Sequence, residues 1–205
     1  MEILKNLIGV NNKNSITTRV RQENFKIFKN IVSSFNRKVR ILDLGGTQDY
    51  WEMMEYTDPN LIEVTLINLE DIQVSLPNFR AIKLDIFKLN NSEFINFDII
   101  FSHSLIEHVD HERFAKLVIN SGKPYFIQTP NKHFPIEPHF MIPLFQYFPL
   151  WLKVWCVKNF RKELEPEVES INLLTKEELE RLFPNSIISG GKLFIFTQSF
   201  VVNKL

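Results

Sequence analysis

The sequence is short of several things that would have narrowed it quickly. It has one cysteine, Cys156, in 205 residues, which excludes an internal disulfide and a cysteine-based metal cage and suits a reducing, cytoplasmic compartment. Neither sign of charge is in excess, because 24 Lys plus Arg balance 24 Asp plus Glu. No global field therefore draws the chain toward nucleic acid or an anionic membrane, and nucleic acid is not an expected partner. The opening MEILKNLIGVNNKN has an early glutamate, no basic start and no small-residue cleavage site, so no signal peptide is expected. Glycine is scarce, six residues in all, and wherever two stand together the backbone has a reason to need them.

What is present reads as one globular domain spanning residues 1–205. At 44% hydrophobic and 23% charged residues, the chain is long and apolar enough to bury a sizeable core. Residues 15–36 set Val20, Ile27, Phe28, Ile31, Val32 and Phe35 at helical spacing, which predicts an amphipathic N-terminal helix. Five short apolar runs follow, VRILDL (39–44), VTLINL (64–69), RAIKLD (80–85), FDIIFS (97–102) and PYFIQT (124–129). Most are continuously apolar, as strands covered on both faces are. Between the last two, Asp110 is set to cap a helix with Phe114, Leu117 and Val118 on its buried side and Gly122 as its stop. Near the end, Thr175 and Glu178 form a capping box, Leu174 and Leu179 can staple it, and Pro184 closes the helix. Strands alternating with helices mean crossover connections, and so an α/β fold with a mostly parallel sheet.

In such a sheet, ligands gather outside the carboxyl ends of the strands. The first strand ends in ILDLGGTQDYW (41–51), where Asp43 precedes Gly45 and Gly46. The pair is either a plain tight turn or the floor of a cofactor site. A dinucleotide would want G-x-G-x-x-G and no carboxylate near its pyrophosphate; here Gln48 and Asp49 stand where more glycine would be needed, and no lysine or arginine is at hand. A cationic ligand without phosphate suits the turn better, and S-adenosylmethionine, with its ammonium and sulfonium, is one.

These residues resemble the class I S-adenosylmethionine-dependent methyltransferases. ILDLGG looks like that family's first motif, FDIIFSHSLIEHV (97–109) is similar to its fourth-strand motif, and PYFIQTPNKHFPIEPHF (124–140) looks like a bacterial branch found among cell-surface glycan genes. The resemblance covers about residues 39–203. It implies a Rossmann-like, seven-stranded, mostly parallel sheet with helices on both faces and an antiparallel C-terminal strand pair at about 186–192 and 197–203, with LFIF in the connection. By its own chemistry Gly190-Gly191 would instead signal a hairpin turn. The resemblance further implies that Asp43, Gly45, Gly46 and Thr47 hold the methionine part of the cofactor and that Asp85 accepts from the adenine amino group, although Asp85 could equally be a helix cap. Ser102 and His103 would flank the transferring methyl. The family's ribose-gripping acid falls on Asn68, whose amide has one acceptor and one donor in place of two acceptors, and Glu70 is the substitute. The glycine turn is also tighter than in many members.

Methyl transfer runs largely on positioning, with a general base where the acceptor is a hydroxyl. The candidates are His103 after the fourth strand, His108 beside Glu107 in the IEHV element, His139 in FPIEPHF, and His133. Each histidine also has a plain reading as a loop residue, and the Glu107–His108 pair a structural one. A metal site from His103, Glu107 and His111 would need all three on one helix, and none is expected. Residues 134–160, within an expected insertion at 134–165, are rich in Phe, Trp and Pro. Their apolar stretch falls short of the roughly 20 residues a membrane span needs, which leaves a lid over the pocket, a peripheral membrane contact or a dimer surface. The expected function is S-adenosylmethionine-dependent O-methylation of a sugar or lipid-linked glycan hydroxyl, a small-molecule or glycan acceptor being the partner. The alternatives are a catalytically degenerate binding module on the same fold and a nicotinamide-dependent oxidoreductase.

Overall fold

A computed structural model of the chain describes residues 15–136, 142–160, 170–193 and 195–205. The N-terminal helix α1 (Ile16–Ser34) starts where Ser15 accepts from the Thr18 amide, and it buries Val20, Phe25, Phe28, Ile31 and Val32. The five expected strands form as β1 (Val39–Leu44), β2 (Ile62–Asn68), β3 (Phe79–Lys83), β4 (Ile99–His103) and β5 (Tyr125–Pro130), all parallel. With β6 (Ile187–Leu193) and β7 (Phe196–Lys204) they make a seven-stranded sheet of order β3-β2-β1-β4-β5-β7-β6. β7 runs antiparallel to both β5 and β6. The chain winds outward from β1 to β3 and then returns to β4 on the other side of β1. The crevice between β1 and β4, where Asp43 pairs with Phe101, is thus the topological switch point.

Side-chain alternation sorts the core into two layers. On one face Ile41, Val64, Leu66, Ile99, Phe101, Phe126 and Val201 pack under α1 and the short helix α2 (Gln48–Met53), with Trp51, Phe25 and Phe28 filling the centre. On the other face Leu42, Leu44, Ile100, Ile127 and Val202 pack under α3 (His111–Asn120) and α5 (Lys176–Leu182). Asp110 caps α3 through the Arg113 amide, and Gly122 follows that helix with φ +66°. The capping box opens α5, with Thr175 and Glu178 each bonded to the other's backbone.

Two crossovers depart from the expected strand–helix alternation. Residues 69–78 connect β2 to β3 without a helix, bending at 69–70 and turning at 76–78, and residues 84–98 carry two 3-10 turns, Ile86–Lys88 and Glu93–Asn96. The first of these has Ile72, Val74 and Leu76 at every second position, and they pack on the same core as α2. A two-residue apolar period covers the sheet as an extended strap, where a helix would need a longer repeat. The C-terminal glycines do not make a hairpin turn: Gly190 and Gly191 lie inside β6, at a register shift between Gly191 and Lys192. Added Cβ atoms there would sit 2.7 Å from Thr197 Cγ2 and 2.5 Å from Asn24 Oδ1, so the glycines admit β7 on one side and α1 on the other.

Candidate active site

The β1 turn is built around a buried carboxyl group. Asp43 is 1% exposed, and its Oδ2 accepts from the Trp51 indole N–H at 2.8 Å. Its Oδ1 is buried with no hydrogen-bond partner among the described residues. Burial pushes this carboxyl up to about 8, against the opposing pull of the Trp51 bond. Both glycines have steric reasons. Gly45 has φ +76°, and an added Cβ on Gly46 would fall 1.8 Å from Asp43 Oδ2. The turn closes over the carboxyl group with bare backbone, and Thr47, at the N-cap position of α2, makes no capping side-chain bond.

Asn68 locks the turn from the side. Its Nδ2 donates to the Gly45 and Gly46 carbonyls at 3.3 and 3.2 Å, and its Oδ1 accepts from the Glu70 amide at 3.1 Å. A carboxylate could not donate to those carbonyls, so the amide is matched to this tether. Glu70 follows with an exposed side chain. Asp85 caps a 3-10 turn, its Oδ1 accepting from the Phe87 amide at 3.0 Å, and remains half-buried. Ser102 is fully buried and its hydroxyl donates to the Leu44 carbonyl at 3.0 Å. It pins β4 to β1 beneath the turn and faces the core layer opposite Asp43.

A small polar pocket opens at the adjoining strand ends. His103 from β4, Gln128 and Thr129 from β5, Gln198 from β7 and Arg21 from α1 line it. The His103 ring lies against Tyr50, with centroids 4.3 Å apart and planes 30° from parallel. His103 pairs in register with Gln128, and both stand on the sheet face that carries Asp43. Burial lowers the Arg21 guanidinium, opposed by its attraction to Tyr50 and to Glu107. Glu107 is fully buried and accepts from the Thr129 hydroxyl at 3.0 Å. Gln128 Oε1, Gln198 Oε1 and the Tyr50 hydroxyl are buried without a hydrogen-bond partner among the described residues. Of these, Gln128 and Gln198 line the pocket, where a ligand or water can supply the donors their carbonyl oxygens lack.

The other candidates are placed elsewhere. His108 is exposed on the 3-10 turn Ile106–His108 and is not among the pocket's lining residues. His133 is exposed, its Nδ1 2.8 Å from the Tyr147 hydroxyl. His139 lies outside the described residues, as do parts of the segment 134–165. His103, Glu107 and His111 fall on three different elements, and no group of three potential metal ligands occurs among the described residues. Arg21, Tyr50, Gln128 and Gln198 were not candidates on sequence grounds. Arg21 had a readable signal, since it stands four and seven residues before the buried Phe25 and Phe28, where the helix's apolar stripe should continue. Gln128 likewise interrupts an otherwise apolar strand.

No family model matches the chain, and no curated protein matches it in sequence. Solved structures do match it in fold. The methyltransferase domain of bacterial CtHen1-CN is 12% identical with a TM-score of 0.54, over 91% of this chain and 100% of that one. The plantazolicin methyltransferase BpumL, solved in complex with SAH, is 14% identical with a TM-score of 0.55, over 92% of this chain and 84% of that one. A protein from Rhodobacter sphaeroides described as a Zn-dependent alcohol dehydrogenase superposes equally well, at 11% identity and a TM-score of 0.55 over 88% and 87%. Identities this low speak for the fold alone. The chain has a Rossmann-like fold of the kind seen in these methyltransferase structures.

Proposed function

We propose that the chain binds S-adenosylmethionine at the β1 turn and methylates a hydroxyl of a sugar or lipid-linked glycan held in the adjoining pocket. The observation that carries this reading is the unpartnered Oδ1 of Asp43 under a glycine turn that has no lysine or arginine in it. A ligand ammonium would supply the missing donor, whereas a pyrophosphate would meet a carboxyl group and no cation. The bare backbone of Gly45 and Gly46, with Thr47, would hold the methionine end, Glu70 the ribose and Asp85 the adenine amino group. When bound, the cofactor supplies a methyl group on positively charged sulfur. The chain's part is to place and deprotonate the acceptor. Gln128 and Gln198 present carbonyl oxygens that the hydroxyls of a polyol satisfy, Arg21 faces the same space, and His103, braced on Tyr50, takes the proton from the attacking oxygen.

Asn68 favours a second reading, a binding module without turnover. Its amide is engaged with the glycine carbonyls, so the position from which the resemblance expects a ribose-holding carboxylate supplies none. Calorimetric titration with S-adenosylmethionine and with NAD, followed by transfer of labelled methyl to a panel of saccharides and lipid-linked glycans, separates the readings. The expected result is micromolar S-adenosylmethionine binding, weakened at least about tenfold by Asp43→Ala, with no response to NAD. His103→Asn should retain that binding while transfer falls by about a hundredfold. Failure of S-adenosylmethionine to bind the folded chain sinks the first reading and favours the module, and binding without transfer to any acceptor favours the module less.

A further inference from the structure

Gln128 and Gln198 are buried carboxamides whose hydrogen bonding the fold leaves incomplete. They are 2% and 7% exposed, both line the polar pocket, and the side-chain oxygen of each is buried without a hydrogen-bond partner among the described residues. Their backbones are fixed. Gln128 lies in the ladder between His103 on β4 and Val201 on β7, and the Gln198 carbonyl accepts from the Asn131 amide at 2.9 Å. Two hydroxyls beside them are engaged elsewhere: Thr129 donates to Glu107 at 3.0 Å, and Ser199 accepts from Asn24 Nδ2 at 2.9 Å. Beyond Pro130 the rim is held by Gln146, just before α4 (Leu150–Phe160), whose Nε2 donates to the Lys132 and Phe134 carbonyls at 3.0 and 2.8 Å. A buried carbonyl oxygen without a donor costs stability, and an apolar residue of the same shape avoids that cost. Two such oxygens at one pocket are therefore where the donors of a ligand fit.

What the two oxygens lack narrows the ligand. A carboxylate or a phosphate dianion has no donor to give. An ammonium has donors, but it would stand beside Arg21, which lines the same pocket, and like charges repel. Neutral hydroxyls meet both conditions. The space, about 30 Å³, holds a few oxygen-sized groups, so a sugar enters it by one edge. Two hydroxyls on adjacent carbons bring two donors within such an edge.

We propose that this pocket is a subsite for the vicinal diol of a sugar acceptor, one hydroxyl donating to Gln128 and its neighbour to Gln198, which makes the two glutamines specificity-determining residues. The proposal rests on reading the pocket as the acceptor's. Its test is run without cofactor, so it can fail while S-adenosylmethionine still binds and hold where that binding fails. The full chain, isotope-labelled at its glutamine side chains, is titrated with ethylene glycol, trimethylene glycol, ethanol and glycolate. The side-chain amide resonances of Gln128 and Gln198, assigned through Gln128→Leu and Gln198→Leu, are followed by NMR. The expected result is a saturable shift of both resonances with ethylene glycol, at an affinity about tenfold above that for ethanol, which brings one donor. Trimethylene glycol, with its hydroxyls one carbon further apart, should also fall below ethylene glycol, because a site built to hydrogen-bond a hydroxyl rejects an analogue that cannot supply it. Each leucine variant should keep the melting temperature and lose the advantage of ethylene glycol over ethanol; should a variant not fold, the wild-type series decides alone. Equal response to ethylene glycol and to either comparison alcohol, or response to none, overturns the proposal and leaves the pocket to water. So does a stronger response to glycolate, because the carboxamides then turn their N–H groups to a carboxylate beside Arg21.

Discussion

Asp43 is a carboxyl group that the fold obliges to stay neutral. It is buried, it receives one hydrogen bond from Trp51, and its proton is held up to about 8. The unfolded chain would release that proton near pH 4, so between pH 4 and pH 8 the unfolded state binds fewer protons than the folded one. Stability contributed by the neutral group is complete below pH 4 and is lost as pH rises toward 8. The melting temperature of the free protein should therefore fall across that window, and Asp43→Asn, which keeps an acceptor for Trp51, should flatten the profile; thermal melts in a pH series check this. A ligand ammonium favours the ionised form, so S-adenosylmethionine affinity should rise with pH up to about 8, with proton release measurable by calorimetry in buffers of different ionisation heat. The sequence displayed Asp43 and its two glycines as a group, because a strand followed by glycine is a local pattern. That Gly46 must lack a side chain on account of Asp43 itself, and that Asn68 reaches across to both glycine carbonyls, depends on atoms brought together from β1 and β2. No spacing rule shows that.

At the scale of elements, the short helix α2 does more than cover the sheet. Gln48 Oε1 accepts from the amides of Ser75 and Leu76 at 2.8 and 3.2 Å, and its Nε2 donates to the Ser75 hydroxyl at 2.8 Å. One side chain at the start of α2 thereby holds the strap 69–78, which carries Glu70, against the helix that follows the β1 turn. Gln48→Ala should cost about 1–2 kcal/mol and raise hydrogen exchange within 69–78 while leaving α3 and α5 unchanged; exchange mass spectrometry checks it, and uniform protection would show that the strap is held by Ile72, Val74 and Leu76 alone. Elements with strong local signals were legible: α1 from its apolar stripe, α5 from its capping box, and five strands from their apolar runs, each within two residues of its observed start. The strap was not, because Ile72, Val74 and Leu76 are spaced for an extended segment that pairs with no strand, and only the sheet beneath gives their shared face a place to go. Gly190 and Gly191 show the opposite error of local reading, since the chemistry of a turn is also the chemistry of close packing by a neighbouring element.

For the whole molecule, a ligand that binds only the folded state adds to stability by mass action. At a hundredfold excess over its dissociation constant, S-adenosylmethionine should stabilise the chain by about 2.7 kcal/mol and raise its melting temperature by about 5–10 °C, with NAD giving no shift. A thermal-shift titration reads both. A rise with NAD alone would point to the hydride-transfer alternative. The sequence by itself determined the class of the fold, the β1 turn and the polarity of its surroundings, because backbone propensity, apolar period and glycine placement act over a few residues. Only the tertiary structure decided which polar groups share a pocket. Arg21, His103, Gln128 and Gln198 come from α1, β4, β5 and β7, and they meet because those three strands are neighbours in the sheet with α1 packed on it, a property of chain topology that no local pattern carries.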